Sequence, residues 1–157
     1  MGVGILAPVP ASIMRSALGT CAAEGKVAFG SGAWEVFERA NQEYGEGIPV
    51  LIYPTYHDGD PDKVCVPGFV PFRAIYLGTT PATKLGMHPN PAVRPAITIN
   101  GPSADTASSF FWEVSDLKQL SPPERIAITS LTAEGQKKPF TNKFTLHGPI
   151  LVKALFL

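Results

Sequence analysis

Residues 26–59 read KVAFGSGAWEVFERANQEYGEGIPVLIYPTYHDG, and 72–78 add FRAIYLG. The first piece is a loop built on Gly30-Ser31-Gly32, where the backbone is free to turn. Trp34, Phe37, Ala40 and Tyr44 then recur at three- and four-residue spacings, which predicts one apolar face of a helix. Glu35, Glu38, Arg39 and Glu43 take the other side. Ser31 stands where a cap belongs, and Gly45 and Gly47 stop the helix. Residues 48–53 are an unbroken run of strand formers between Gly47 and Pro54 and read as a central strand. The polar HDGDPDK of 57–63 is a tight turn. In FRAIYLG, Phe72, Ala74 and Tyr76 face one way and Arg73, Ile75 and Leu77 the other, the period of a second strand.

Working outward, residues 3–9 predict a short strand ended by Pro8 or Pro10. Residues 11–23 predict a helix with Ile13, Met14, Ala17 and Leu18 inward, Ser12 as cap and Gly19 or Gly25 as stop. Strands are expected at 64–77, in two pieces broken by Pro67-Gly68 and Pro71, at 96–100 before an Asn100-Gly101 turn, at 110–120 and within 144–157. Residues 79–95 form a long proline-rich loop. Residues 126–131 are a strand or short helix, and 132–143 a polar loop. Six or seven strands with two or three short helices in 157 residues predict a single α+β domain spanning 1–157, built on a curved mixed sheet or small β-barrel.

Sixteen prolines and fifteen glycines favour turns and short strands over long helices. The formal net charge is zero, so the whole molecule exerts no general pull on nucleic acid. The charge is unevenly placed, however. Residues 35–62 hold seven acids against Arg39 alone, and 118–157 hold six bases against Glu124 and Glu134. Any polyanion is therefore expected to meet the C-terminal part. Cys21 and Cys65 are far apart and in no metal or redox pattern, which fits a reducing, cytoplasmic setting. No run is apolar enough to span a membrane, and the first residues lack the basic region of a signal peptide.

The chain has no phosphate-binding glycine loop, no dinucleotide fingerprint, no HExxH and no nucleophile elbow. His57, Asp58, Asp60 and Asp62 cluster, but without the twelve-residue calcium loop and its terminal Glu, so no metal and no cofactor are expected. Cys65 follows His57 closely, the pairing a thiol nucleophile would need. Aromatics are the stronger signal. Phe29 and Trp34 flank the glycine loop, Tyr53 and Tyr56 flank a strand end, and Phe110, Phe111 and Trp112 are consecutive, so a strand points them to both faces.

GKVAFGSGAWEVFERA, IPVLIYPTYHDG and VPFRAIYLG, followed by FFWEVSDLKQLSPPERIAITSL, occur in an order that resembles the PUA-like superfamily, especially its EVE and YTH domains. The ASCH pattern G-x-K-x-x-E-x-R is not met, since no Lys precedes Glu38 and Arg39 at the required position. The resemblance implies a pocket for a nucleobase, plain or modified, in DNA or RNA. The expected ligand-binding residues are Phe29, Ser31, Trp34, Tyr53, Tyr56 and Trp112, with Lys137, Lys138 and Lys143 on nucleic-acid phosphates. Two other readings stand beside it. One is a protein-interaction module with no small ligand. The other is a small hydrolase using His57, Asp58 or Cys65.

Overall fold

The computed structural model describes residues 2–56, 59–100 and 108–157. Strand β1, Gly2–Pro10, turns Ile5, Ala7 and Val9 to one side and Leu6 to the other. Helix α1, Ala11–Glu24, follows without a break and buries Met14, Ala17 and Cys21. It begins one residue before Ser12, which therefore lies inside the first turn, and no side chain caps it. Gly25, in the left-handed region at φ 80°, closes it by donating its N–H to the Cys21 carbonyl.

Strand β2, Val27–Ser31, leads to helix α2, Trp34–Glu43. Gly45 ends α2 with its N–H on the Ala40 carbonyl. The apolar stripe is narrower than its spacing suggested. Phe37 and Ala40 are buried, whereas Trp34 is 55 % exposed and Tyr44 37 %. These two lie at the ends of α2, beyond the turn that covers the sheet.

The remaining strands are β3 (Pro49–Thr55), β4 (Phe69–Val70), β5 (Phe72–Pro81), β6 (Phe110–Gln119), β7 (Ile126–Ala127), β8 (Thr132–Ala133) and β9 (Ile150–Ala154). Seven of them form one mixed sheet in the order β2-β6-β5-β3-β1-β9-β8, and β4 pairs with β7 in a separate two-stranded ladder. Among the described residues this sheet is open, so of the two expected forms the curved sheet is present and the closed barrel is not. Strands β3, β5 and β6 are adjacent in the expected order, with β3 parallel to β1 and every other pair antiparallel. Register shifts at Arg73/Ile75 and Tyr76/Gly78 break the β5–β6 ladder. Bulges of this kind bend a strand and tighten its twist.

Residues 96–100 are not a strand. They form helix α3, Ala96–Asn100, against α1, with the Ile97 N–H on Ser16 Oγ. Pro95 precedes it, and its carbonyl accepts both the Thr98 N–H and the Thr98 hydroxyl. Proline preorganises a helix start, and this outweighs the strand preference of Ile-Thr-Ile. Gly101 of the expected turn lies outside the described residues. Residues 126–131 are both things expected of them, β7 followed by the 3₁₀ turn Ile128–Ser130.

Both faces of the sheet are buried. Helices α1 and α2 cover the face carrying Ile5, Val50, Ile52, Phe72, Tyr76 and Trp112. On the other face Leu6, Leu51 and Val152 pack beneath Val70, Ile128 and Leu131. Strand β3 is sealed on both sides, with Val50, Leu51 and Ile52 all at 0 % exposure. A doubly covered strand reads as a continuous apolar run, as residues 48–53 do.

Phe37 is 1 % exposed and touches the rings of Tyr76, Phe110 and Trp112. Phe37→Ala is expected to cost about 3–5 kcal/mol, read as a shift of the urea midpoint at unchanged slope. A loss below about 1 kcal/mol would place that face outside the core.

Candidate binding cleft

The sheet curls so far that the C-terminal ends of β1 and β2, four places apart in its order, line one cleft of about 230 Å³. Ala7 and Pro8 form one wall, with the segment His147-Gly148-Pro149 that leads into β9. Gly30, Ser31, Gly32 and Ala33 form the other. Phe37 and Trp112 make the floor.

The floor is rigid. Trp112 is 3 % exposed, stacks on Phe37 at 5.3 Å and 18°, and is backed by Phe29 at 4.7 Å. The glycine loop folds back on itself, because Ser31 Oγ accepts the Ala33 N–H at 3.0 Å. Ser31 thus tightens the loop and does not cap α2. Among the described residues no side chain caps that helix, so its first-turn N–H groups stand at the loop with the positive end of the dipole. Among the described residues His147 is the one ionisable side chain lining the cleft. An aromatic floor beside backbone groups and an imidazole is a lining that can hold a flat, hydrogen-bonding ring.

The six residues expected to make the pocket do not converge. Ser31 and Trp112 line the cleft, and Phe29 supports Trp112 from behind. Trp34 opens α2 and is exposed to solvent. Tyr53 lies on the opposite face of the sheet, packed with the second core cluster, its hydroxyl accepting the Gly68 N–H at 3.2 Å. Strand alternation imposes this. Ile52 points toward the helices, so Tyr53 must point away from them. Tyr56 is 61 % exposed beyond the end of β3. Ala7, Pro8 and His147 were not legible as site residues, because only the curl of the sheet brings them to the glycine loop.

Lys137 and Lys138 border a separate shallow depression beside β8, together with Phe140. Lys143 is exposed and does not line it. Around the 57–63 turn, Asp60 accepts the N–H groups of Val64 and Cys65 at 2.8 and 2.9 Å. Cys65 is a free thiol whose pKa is pushed up to about 11, first by burial and then by the Asp60 carboxylate. A nucleophilic cysteine needs the opposite shift. His57 and Asp58, its partners in the hydrolase reading, lie outside the described residues. Among the described residues no cluster of His, Cys, Asp and Glu is arranged to hold a metal ion, and no helix is long and apolar enough to cross a membrane.

A second polar feature escaped the sequence. Glu113 is 7 % exposed on the sheet face away from α2. It receives Lys26 Nζ at 3.0 Å, Thr80 Oγ1 at 3.0 Å and His88 Nε2 at 2.6 Å. His88 Nδ1 accepts the Asn90 N–H at 2.8 Å, so Nε2 carries the proton given to Glu113. Nearby, the Arg94 guanidinium lies over Phe111 and donates to the Ala28 carbonyl at 2.6 Å, and burial pulls its pKa down to about 10. These bonds fix the 79–95 loop to the sheet. The groups that meet at Glu113 come from the approach to β2, from β5 and from the 79–95 loop, so their spacing in sequence does not disclose them.

Compared with known proteins, the chain matches no family model and no curated relative.

Burial raises the Glu113 carboxyl, but the hydrogen bonds from His88, Lys26 and Thr80 outweigh it and hold the group below its ordinary 4.5. Glu113→Ala is expected to cost about 3 kcal/mol at pH 7, since it strands the buried His88 Nε2–H. A folded-state value below the unfolded one gives stability that is present above about pH 4.5 and lost as pH falls through the folded value. Wild type and variant should therefore converge in strong acid. A constant gap from pH 7 to 2 would assign the loss to packing alone.

Proposed function

We propose that the protein is a binding module for a nucleobase, plain or modified, in DNA or RNA, with the base seated in the cleft. The observation that carries this reading is the pairing of a rigid aromatic floor with an uncapped helix start across one small opening. At about 230 Å³ the cleft falls below the roughly 300–1,000 Å³ of drug-sized sites, which suits one flat ring and not a whole nucleotide. Recognition of a splayed-out base asks for this combination of an apolar wall and a few fixed polar groups. The backbone around Gly30 to Gly32 would read the base edge, His147 would close over it, and sugar and phosphate would stay outside. The resemblance to PUA-like domains supports the same reading. Both cysteines are free, which supports a cytoplasmic setting.

A protein-interaction module remains the second reading, favoured by Leu155 at 85 % and Phe156 at 48 % exposure. Two apolar side chains are fewer than a docking patch commonly needs, which ranks this reading below the first.

The chain has two tryptophans, so Trp34→Phe leaves Trp112 as the sole reporter. Titrating that variant with nucleosides and single-stranded oligonucleotides should change Trp112 emission saturably. His147→Ala, a change at an exposed residue, should weaken binding about fivefold to tenfold, the worth of one hydrogen bond. An unchanged Trp112 signal across all four bases and their methylated forms would end the proposal.

A further inference from the structure

Arg73 at the start of β5, Lys118 near the end of β6 and Arg125 before β7 line a second, larger groove of about 470 Å³. Leu120 and Ile126 give it an apolar floor, and the half-exposed Phe156 stands at its rim. Arg73 and Lys118 face each other directly in the antiparallel β5–β6 register. Like charges in that position repel and weaken the pairing. Among the described residues neither Arg73 nor Arg125 is in an ion pair. Arg125 Nε is buried and, among the described residues, has no hydrogen-bond partner. Among the described residues the groove's one carboxylate, Glu124, is already engaged. Its Oε1 accepts the Ser121 hydroxyl at 2.8 Å, and its other oxygen reaches Lys118 only at 4.0 Å.

We propose that this groove binds the phosphate of a small phosphomonoester that carries a flat or apolar body. The phosphate oxygens bridge Arg73 and Lys118 and accept from the outer N–H groups of the Arg125 guanidinium, while the body lies on Leu120 and Ile126 against Phe156. Guanidinium groups suit phosphate because their N–H donors are paired and planar. A phosphodiester strand carries one charge per group and calls for cations spread along a track. Three cations on a single groove suit the concentrated charge of a monoester dianion. The inference is independent of the base cleft, which involves none of these residues.

Arginine Nε–Hε cross-peaks of the full ¹⁵N-labelled chain test it. Inorganic phosphate, a nucleoside 5′-monophosphate and an oligonucleotide without terminal phosphate are titrated separately, with chloride matched for ionic strength. The Arg125 Nε–Hε peak should move saturably with phosphate and with the monophosphate, and not with chloride. The monophosphate should bind roughly tenfold tighter than phosphate, and Arg73→Gln should weaken both about tenfold. Phe156→Ala should remove the advantage of the monophosphate and leave inorganic phosphate unchanged. In phosphate-free buffer Arg73→Gln should melt no lower than wild type, because it relieves the repulsion with Lys118. A stationary Arg125 peak, or equal movement with chloride, overturns the site. An oligonucleotide that moves the peak at lower concentration than the monophosphate overturns the monoester assignment in favour of a nucleic-acid backbone.

Discussion

The parallel pairing of β1 with β3 constrains everything else. Ile5 stands beside Val50 and the two strands run the same way to Pro10 and Thr55. A hairpin cannot close a parallel pair, so the chain between them must travel the length of the sheet and return. It does so as α1, β2 and α2, and on the way it deposits β2 at the far edge, beside β6. Both helices come to lie on the same face. The glycine loop that follows β2 then meets the end of β1 across the curl, and the cleft is the space between them.

Two neighbouring residues of β6 organise the two sides of this arrangement. Trp112 faces the helices and is fixed by Phe29 and Phe37. Glu113 faces the other way and gathers Lys26, Thr80 and His88. One side is held by dispersion and apolar burial, which are insensitive to pH, and the other by a charged acceptor, which is not. The strand that floors the cleft is thus the one whose outer face depends on a carboxylate remaining ionised.

How far the sequence discloses this depends on the range of each interaction. The double burial of β3 appears as VLI, and the alternation of Phe72, Ala74 and Tyr76 appears in FRAIYLG, because strand periodicity is local. The helix at 96–100 was obscured because the strand preference of its residues is weaker than the effect of Pro95 and the Thr98 back-bonds. The face on which Tyr53 falls follows from Ile52, but which face holds the cleft does not, since that is set by the curl. Lys137, Lys138 and Lys143 stand out as a dense basic run, and the first two border one depression beside β8. Arg73, Lys118 and Arg125 are scattered along the chain and meet in one groove. The 3.6- and 2-residue periods belong to single elements, whereas sites are made between elements.

Among the described residues the open sheet has two borders, and the unpaired backbone groups of such borders recruit strands from other molecules. At one border the last strand, β8, is two residues long, too short a template to extend. At the other border β2 is longer, and there Arg94 gives a guanidinium N–H to the Ala28 carbonyl while its own carbonyl is tied to Thr20 of α1. The loop after β5 is thereby drawn across the rim of the sheet. Besides holding a polar network, that loop places a charged side chain where a neighbouring copy would have to add its strand, so β2 is guarded against edge-to-edge aggregation.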